Sequence, residues 1–103
     1  MVDINKLCGL IGIATKAGKI IAGTDACIEQ IKNKNIKLIM VGKDASERTR
    51  NKFKQITDEF NIPVFEILSI EEISHSIGKN NKAVIGIKDI GFTNKIISII
   101  HGG

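Results

Sequence analysis

The sequence predicts an α/β fold, a three-layer α/β/α sandwich around a central four-stranded mixed sheet, and three observations predict it. Helical and strand-type patterns alternate from a first helix to the C-terminus. The stretches between them are short and built from Gly, Asn, Asp and the single Pro. The most apolar run, Ile36 to Val41, is nearly continuous, as suits a strand covered on both faces.

Each element has its own signal. Ile4, Leu7, Leu10, Ile11 and Ala14 make one helical stripe with Asp3 available as N-cap, and this helix ends near Lys16. Lys19 to Ala22 is a short strand. Thr24 to Lys34 reads as a helix through Cys27, Ile28 and Ile31, with Thr24 and Asp25 as N-cap types. Ile36 to Val41 is the second strand, closed by Gly42-Lys43-Asp44. Asp44 or Ser46 caps a helix carrying Thr49, Phe53, Ile56 and Phe60, and Asn61-Ile62-Pro63 ends it. Val64 to Ile67 is the third strand. Ile70, Ile73 and Ile77 mark a short helix that stops at Gly78. Ala83 to Ile87 is the fourth strand, and Phe92, Ile96, Ile99 and Ile100 line the last helix before His101-Gly102-Gly103.

A chain of 103 residues has the size of one domain, 1–103, without repeat, linker or low-complexity segment. With 43% hydrophobic and 25% charged residues the composition is that of a globular domain, and no apolar run reaches the roughly 18 residues of a membrane helix. Nothing at the N-terminus suggests export, so a cytoplasmic location is expected. Cys8 and Cys27 stand alone, without the close Cys/His pairs of zinc sites, and read as reduced, partly buried thiols.

The charge is asymmetric. Residues 1–54 carry 11 Lys/Arg against 5 Asp/Glu, and residues 55–103 carry 4 against 6. A basic face of this kind inside a cell most often meets nucleic acid, although it also serves solubility. The segment from Lys16 to Asp25, KAGKIIAGTD, focuses that expectation. It turns on Gly18, runs apolar, and stops on Gly23-Thr24-Asp25 before a helix. An open helix N-terminus beside Lys16 and Lys19 would suit a polyanion, with Gly23 admitting a foreign backbone. The plainer readings are solvated turn lysines and a simple strand-to-helix glycine. Arg48, Arg50, Lys52 and Lys54 span several helical faces and read as a solvated helix more readily than as a binding strip.

Enzyme readings find no support in the residues. Gly12 to Lys19, GIATKAGK, has five residues between its glycines where a phosphate loop has four, and Ile20 stands where a magnesium-binding hydroxyl is needed. His75 and His101 lack carboxylate or Cys partners, and Glu71-Glu72 point about 100° apart on a helix. No metal, cofactor or small-molecule substrate is expected. The chain has no Trp or Tyr, and three of its four Phe fall on apolar stripes, leaving Phe65 as the one stacking surface. The residues therefore favour a folded RNA recognised by shape and backbone charge over a stacked single strand.

The frame KAGKIIAGTDACIEQIKNKNIKLIMVGKDAS, followed by NIPVFEI, SIGK and AVIGIKDIGF, resembles the ribosomal protein L7Ae/L30e family, and most closely its short bacterial members, from about Lys6 to Ile100. The resemblance implies an L30e-like fold that binds structured RNA, kink-turns above all, at the N-terminus of the second helix, with an apolar residue of a neighbouring loop holding an extruded nucleotide. Carried onto this chain, it implies RNA contacts at Gly23, Thr24, Asp25, Ala26, Glu29 and Lys32, and at Leu68, Ser69, Ile70, Ile73 and Ser74 of the second loop, beside Lys16, Gly18 and Lys19. Asp25 and Ala26 replace an Asn-Glu pair or similar polar residues, Glu29 replaces a usual lysine, and Ser74 replaces a glycine. Asp25 cannot donate as Asn does, Ala26 has no polar group, and Glu29 repels phosphate, so these departures weaken the case for kink-turn recognition. The expected function is non-catalytic binding of structured RNA, ribosomal RNA among the candidates, by a translation-associated monomer. The alternative is a protein-interaction module on the same fold.

Overall fold

The computed structural model describes residues 1–102. Each expected element forms, in the expected order: α1 (Ile4–Lys16), β1 (Ile20–Ala22), α2 (Thr24–Lys32), β2 (Leu38–Val41), α3 (Glu47–Glu59), β3 (Val64–Phe65), α4 (Ile70–Ser76), β4 (Val84–Ile87) and α5 (Ile90–Ile100). Four of the five helices start where short polar side chains satisfy free N–H groups. Asp3 accepts from Lys6 N–H, Ser46 from Thr49, and Asp89 from Phe92, while Ser69 and Glu72 form a reciprocal capping box. Ser46 is therefore the cap of α3, and Asp44 is free for another partner.

The strands lie in the order β1-β4-β2-β3. β4 runs antiparallel to both β1 and β2, while β3 runs parallel to β2. The sheet is mixed, and most of its pairings are antiparallel. β1, β2 and β3 point one way, so their C-terminal ends gather with the start of β4 at one edge, called here the loop end. Register fixes the opposite edge too, where Ile20 and Leu38 both face Ile87.

Alternation along the strands divides the core into two layers. Leu38, Met40, Ile85 and Ile87 pack with Leu7, Ile11, Leu68, Ile73, Ile77 and Ile96 under α1, α4 and α5. Ile39, Val41 and Val84 pack on the other side with Cys27, Ile31, Ile36 and Phe53 under α2 and α3. Burial of each such side chain is worth about 1.5–3 kcal/mol, enough to hold both helical layers on the sheet. Gly86 makes this possible in the second layer. A Cβ there would stand 2.7 Å from Ile36 Cδ1, so the glycine leaves room for Ile36 over the centre of the sheet, and a larger residue would push its side chain aside.

Candidate nucleic-acid interface

The loop end is organised around Gly23. Its N–H donates to Val84 O at 2.9 Å, continuing the β1–β4 ladder, and its carbonyl accepts from Cys27 N–H at 3.0 Å, opening α2. To do both, the backbone takes φ 102° and ψ 151°, a conformation that L side chains rarely adopt. Glycine is thus required by the chain's own path as well as by any ligand. The space above it is open, since an added Cβ would meet only Lys82 Nζ, 3.9 Å away.

Gly23 is itself the N-cap of α2, which corrects the expectation that Thr24 or Asp25 fills that place. Because the ladder bond holds Gly23 out of helical geometry, the first helical residue is Thr24, and no side chain caps the helix. Among the described residues the N–H groups of Thr24, Asp25 and Ala26 have no protein acceptor. Three outward donors at the positive end of a helix form a ready anion site. Asp25, exposed in the first turn, already supplies one negative charge there.

The neighbouring loops are tied to this place by specific bonds. Asp44 accepts from Ile70 N–H at 2.8 Å, joining the loop after β2 to the start of α4. Ser74 Oγ accepts from Lys82 N–H at 2.8 Å and faces Lys82 O at 3.3 Å, holding the segment that carries Lys82 against α4. Lys79, Asn80 and Asn81 line a cavity of about 540 Å³ with Asp44, Ile70 and Glu71.

Several expected contact residues have other work. Leu68 and Ile73 are wholly buried in the first core layer and offer nothing to a ligand. Ser74 is buried and spends its hydroxyl on Lys82. Ser69 is committed to the capping box. Of the second loop, Ile70 alone keeps part of its apolar side chain accessible beside Gly42. Phe65 is no free stacking surface, because it packs on the core and meets the His101 ring edge-on at 6.4 Å. Arg50 and Lys54 lie 3.9 and 3.8 Å from Glu66, long and half-exposed pairs of small energetic weight.

The larger correction concerns Lys16, Gly18 and Lys19, which do not stand beside the α2 N-terminus. Lys19 pairs with the far end of β4, its carbonyl accepting from Lys88 N–H at 2.9 Å, whereas Gly23 pairs with the near end. Four residues of extended chain, about 13 Å, separate the two positions. Lys16 and Gly18 sit at the C-terminal end of α1, on Lys19's side. Lys32 lies in the last turn of α2, about 12 Å along the helix axis from Thr24. Strand pairing supplies a different lysine to Gly23, namely Lys82. Adjacency in sequence suggested Lys19; only the register of β1 on β4 reveals Lys82.

The thiol of Cys27, behind the first turns of α2, donates to Ile21 O at 3.5 Å, and burial pushes it up to about 12. Cys8 is half-buried in α1. Among the described residues no group of three or more His, Cys, Asp or Glu side chains could hold a metal ion, and no helix is long and apolar enough to cross a membrane.

Comparison with known proteins agrees with this architecture. The chain is 42% identical over 97 residues to the RNA-binding protein YlxQ of Enterococcus faecium, covering 94% of this chain and 93% of that one. It is 34% identical over 91 residues to YlxQ of Bacillus subtilis, also described as an RNA-binding protein, with 88% and 91% covered. A Bacillus halodurans protein of unknown function superposes with a TM-score of 0.89 at 28% identity, over 93% of this chain and 97% of that one. The 15.5 kD RNA-binding protein of Giardia lamblia shares the fold, with a TM-score of 0.82 at 13% identity over 99% and 88% of the two chains. Residues 5–97 match the ribosomal protein L7Ae/L30e/S12e/Gadd45 family, and with this match and these relatives the chain belongs to that family.

Proposed function

We propose that this protein binds folded RNA without catalysis, docking it on the open N-terminus of α2. The observation that carries the reading is Gly23, whose conformation leaves the N–H groups of Thr24, Asp25 and Ala26 without protein acceptors, under open space and beside the Lys82 ammonium. The two relatives at 42% and 34% identity are described as RNA-binding proteins, neither as an enzyme, which supports the same reading. Phosphate or a base edge would take the free N–H groups, Lys82 would add a mobile positive charge, and Ile70 would offer apolar contact. A ribosomal or other translation-associated RNA fits the family, and a monomer suffices for the site.

Kink-turns are the folded RNAs the family suggests, and Asp25, Ala26 and Glu29 set this chain apart from good binders of them. A second reading, a protein-interaction module, rests on one observation. The loop end sets Lys43, Lys79 and Lys82 among Asp25, Asp44, Glu71 and Glu72, so it is not basic. Filter binding to a simple kink-turn and to a plain duplex at matched salt tests both. Folded RNA should be preferred, and Asp25→Asn, Ala26→Glu and Glu29→Lys together should raise kink-turn affinity without a matching gain on the duplex. A chain that binds neither RNA at about 50 mM salt would leave the protein-interaction reading in its place.

A further inference from the structure

We propose that the edge of the sheet opposite the α2 N-terminus is a second RNA-contacting surface, at which Lys19, Lys37 and Lys88 bind phosphate backbone. The inference rests on the RNA-binding reading but concerns a separate site. Lys88 N–H donates to Lys19 O at 2.9 Å, and Lys37 N–H donates to Ile87 O at 2.8 Å. The three lysines therefore sit side by side at the ends of β1, β4 and β2, within about 10 Å across two strand spacings. Like charges in directly neighbouring strands repel, and no ion pair among the described residues offsets this. Among the described residues none of the three has an ion-pair partner, and Lys37 and Lys88 are exposed.

The surroundings add positive charge. Lys16 closes α1, and Lys32 and Lys34 close α2, all exposed on this side of the sheet. Lys34 and Lys37 line a cavity of about 300 Å³ with Ile31, Ile36, Phe60 and Asn61. Lys34 holds a left-handed φ of 62°, where a glycine would cost less, with its N–H donating to Ile31 O. Carboxylates are few here. Asp89 is engaged by Phe92 N–H at 2.8 Å, and Glu29, Asp58 and Glu59, on the exposed faces of α2 and α3, form no ion pair, so four carboxylates stand against the six lysines Lys16, Lys19, Lys32, Lys34, Lys37 and Lys88. Unpaired lysines from several elements on one edge make a surface for a polyanion, and the nearby rings of Phe60 and Phe92 are half-buried and packed on the core, which favours backbone contact over base stacking.

The two ends then divide the labour. The loop end offers directional donors and little net charge, while the lysine edge offers charge without directional readout. The test compares wild type, Lys19→Gln/Lys37→Gln/Lys88→Gln and Lys82→Ala, each titrated with a plain RNA duplex and a kink-turn RNA between about 50 and 200 mM salt. Loss of three phosphate contacts should flatten the log–log salt slope by about 2.7, so the affinity gap between wild type and the triple variant closes about 40-fold across that range. The loss should appear on both RNAs, whereas Lys82→Ala should act mainly on the kink-turn. Thermal melting of the triple variant should be unchanged or higher, as relief of like-charge repulsion requires. An unchanged salt slope with wild-type binding intact overturns the second surface and leaves the α2 reading standing. Failure of the wild type to bind either RNA overturns both.

Discussion

The two edges of this sheet are built from the same three strands and solve opposite problems. At the loop end, backbone donors are left open and side-chain charge is nearly balanced by Asp25, Asp44, Glu71 and Glu72. At the other edge lysines from three strands stand together without an ion pair among the described residues, and the open helix donors are those of Ile90 and Gly91 at the start of α5, which Asp89 caps. In the proposed reading, this basic protein does not place its charge at the point where its fold would recognise RNA. Long-range attraction can come from one surface and orientation from another, since Coulomb attraction survives over about 8–10 Å in physiological salt while hydrogen bonds act only in contact.

Alkaline pH should give the largest effect that separates the two regions. The Cys27 thiol beneath α2 titrates at 9.0 when unfolded and at about 12 when buried. The folded state holds it neutral, so its contribution is whole below pH 9 and is lost as pH rises from 9 towards 12. Denaturant melts should show wild type losing up to about 1.4 kcal/mol per pH unit relative to Cys27→Ala, roughly 2–3 kcal/mol by pH 11. Parallel pH profiles for the two proteins would mean that α2 can admit a thiolate, and hence water, beneath its first turns.

Two glycines sharpen the comparison next. Gly23→Ala forces a side chain into φ 102°, ψ 151° and should cost about 1–3 kcal/mol, with RNA affinity falling alongside stability. This revises any expectation that a side chain at Gly23 acts by steric exclusion alone. Gly18 has φ 72° with nothing within 4 Å of an added Cβ, an ordinary helix-ending position. Gly18→Ala should cost about 1 kcal/mol and leave binding at the loop end alone. Chemical denaturation and filter binding on the same two variants give the answer. Equal binding losses would show that the edges are mechanically coupled.

The most local expected effect lies at Ser74. Ser74→Ala strands the Lys82 N–H and should destabilise by about 1–2 kcal/mol, most visibly as faster amide exchange from Lys79 to Lys82. Kink-turn affinity should fall a few-fold through the loosened Lys82, with duplex binding unchanged. Slow exchange in that segment of the variant would show that Ser74 is not what holds it.

Much of this molecule was legible in the linear chain. Helix stripes such as Leu7/Ile11/Ala14 carry a period of 3.6, and strands such as Leu38–Val41 are too continuously apolar to be anything but buried. The caps Asp3 and Ser69 act within three residues of themselves, so local sequence specifies them. From such patterns the element order and the layered architecture follow, whereas the family is carried by the resemblance of longer motifs such as KAGKIIAGTD and AVIGIKDIGF.

The candidate site was legible only in part, for a physical reason that separates two kinds of information. The sequence pattern marks Leu68 and Ile73 as apolar, but whether an apolar residue lines a pocket or fills a core depends on which element covers it, and both are buried in the first core layer, Leu68 just ahead of α4 and Ile73 within it. Charge composition by itself determined that the chain is basic in its first half. Strand register decided where that charge stands, because pairing β1 antiparallel to β4 carries Lys19 to Lys88 and away from Gly23, and brings Lys82 to Gly23 in its place. Sequence neighbours on a strand are driven apart at about 3.3 Å per residue, whereas residues 59 apart can touch when hydrogen bonds close the sheet between them.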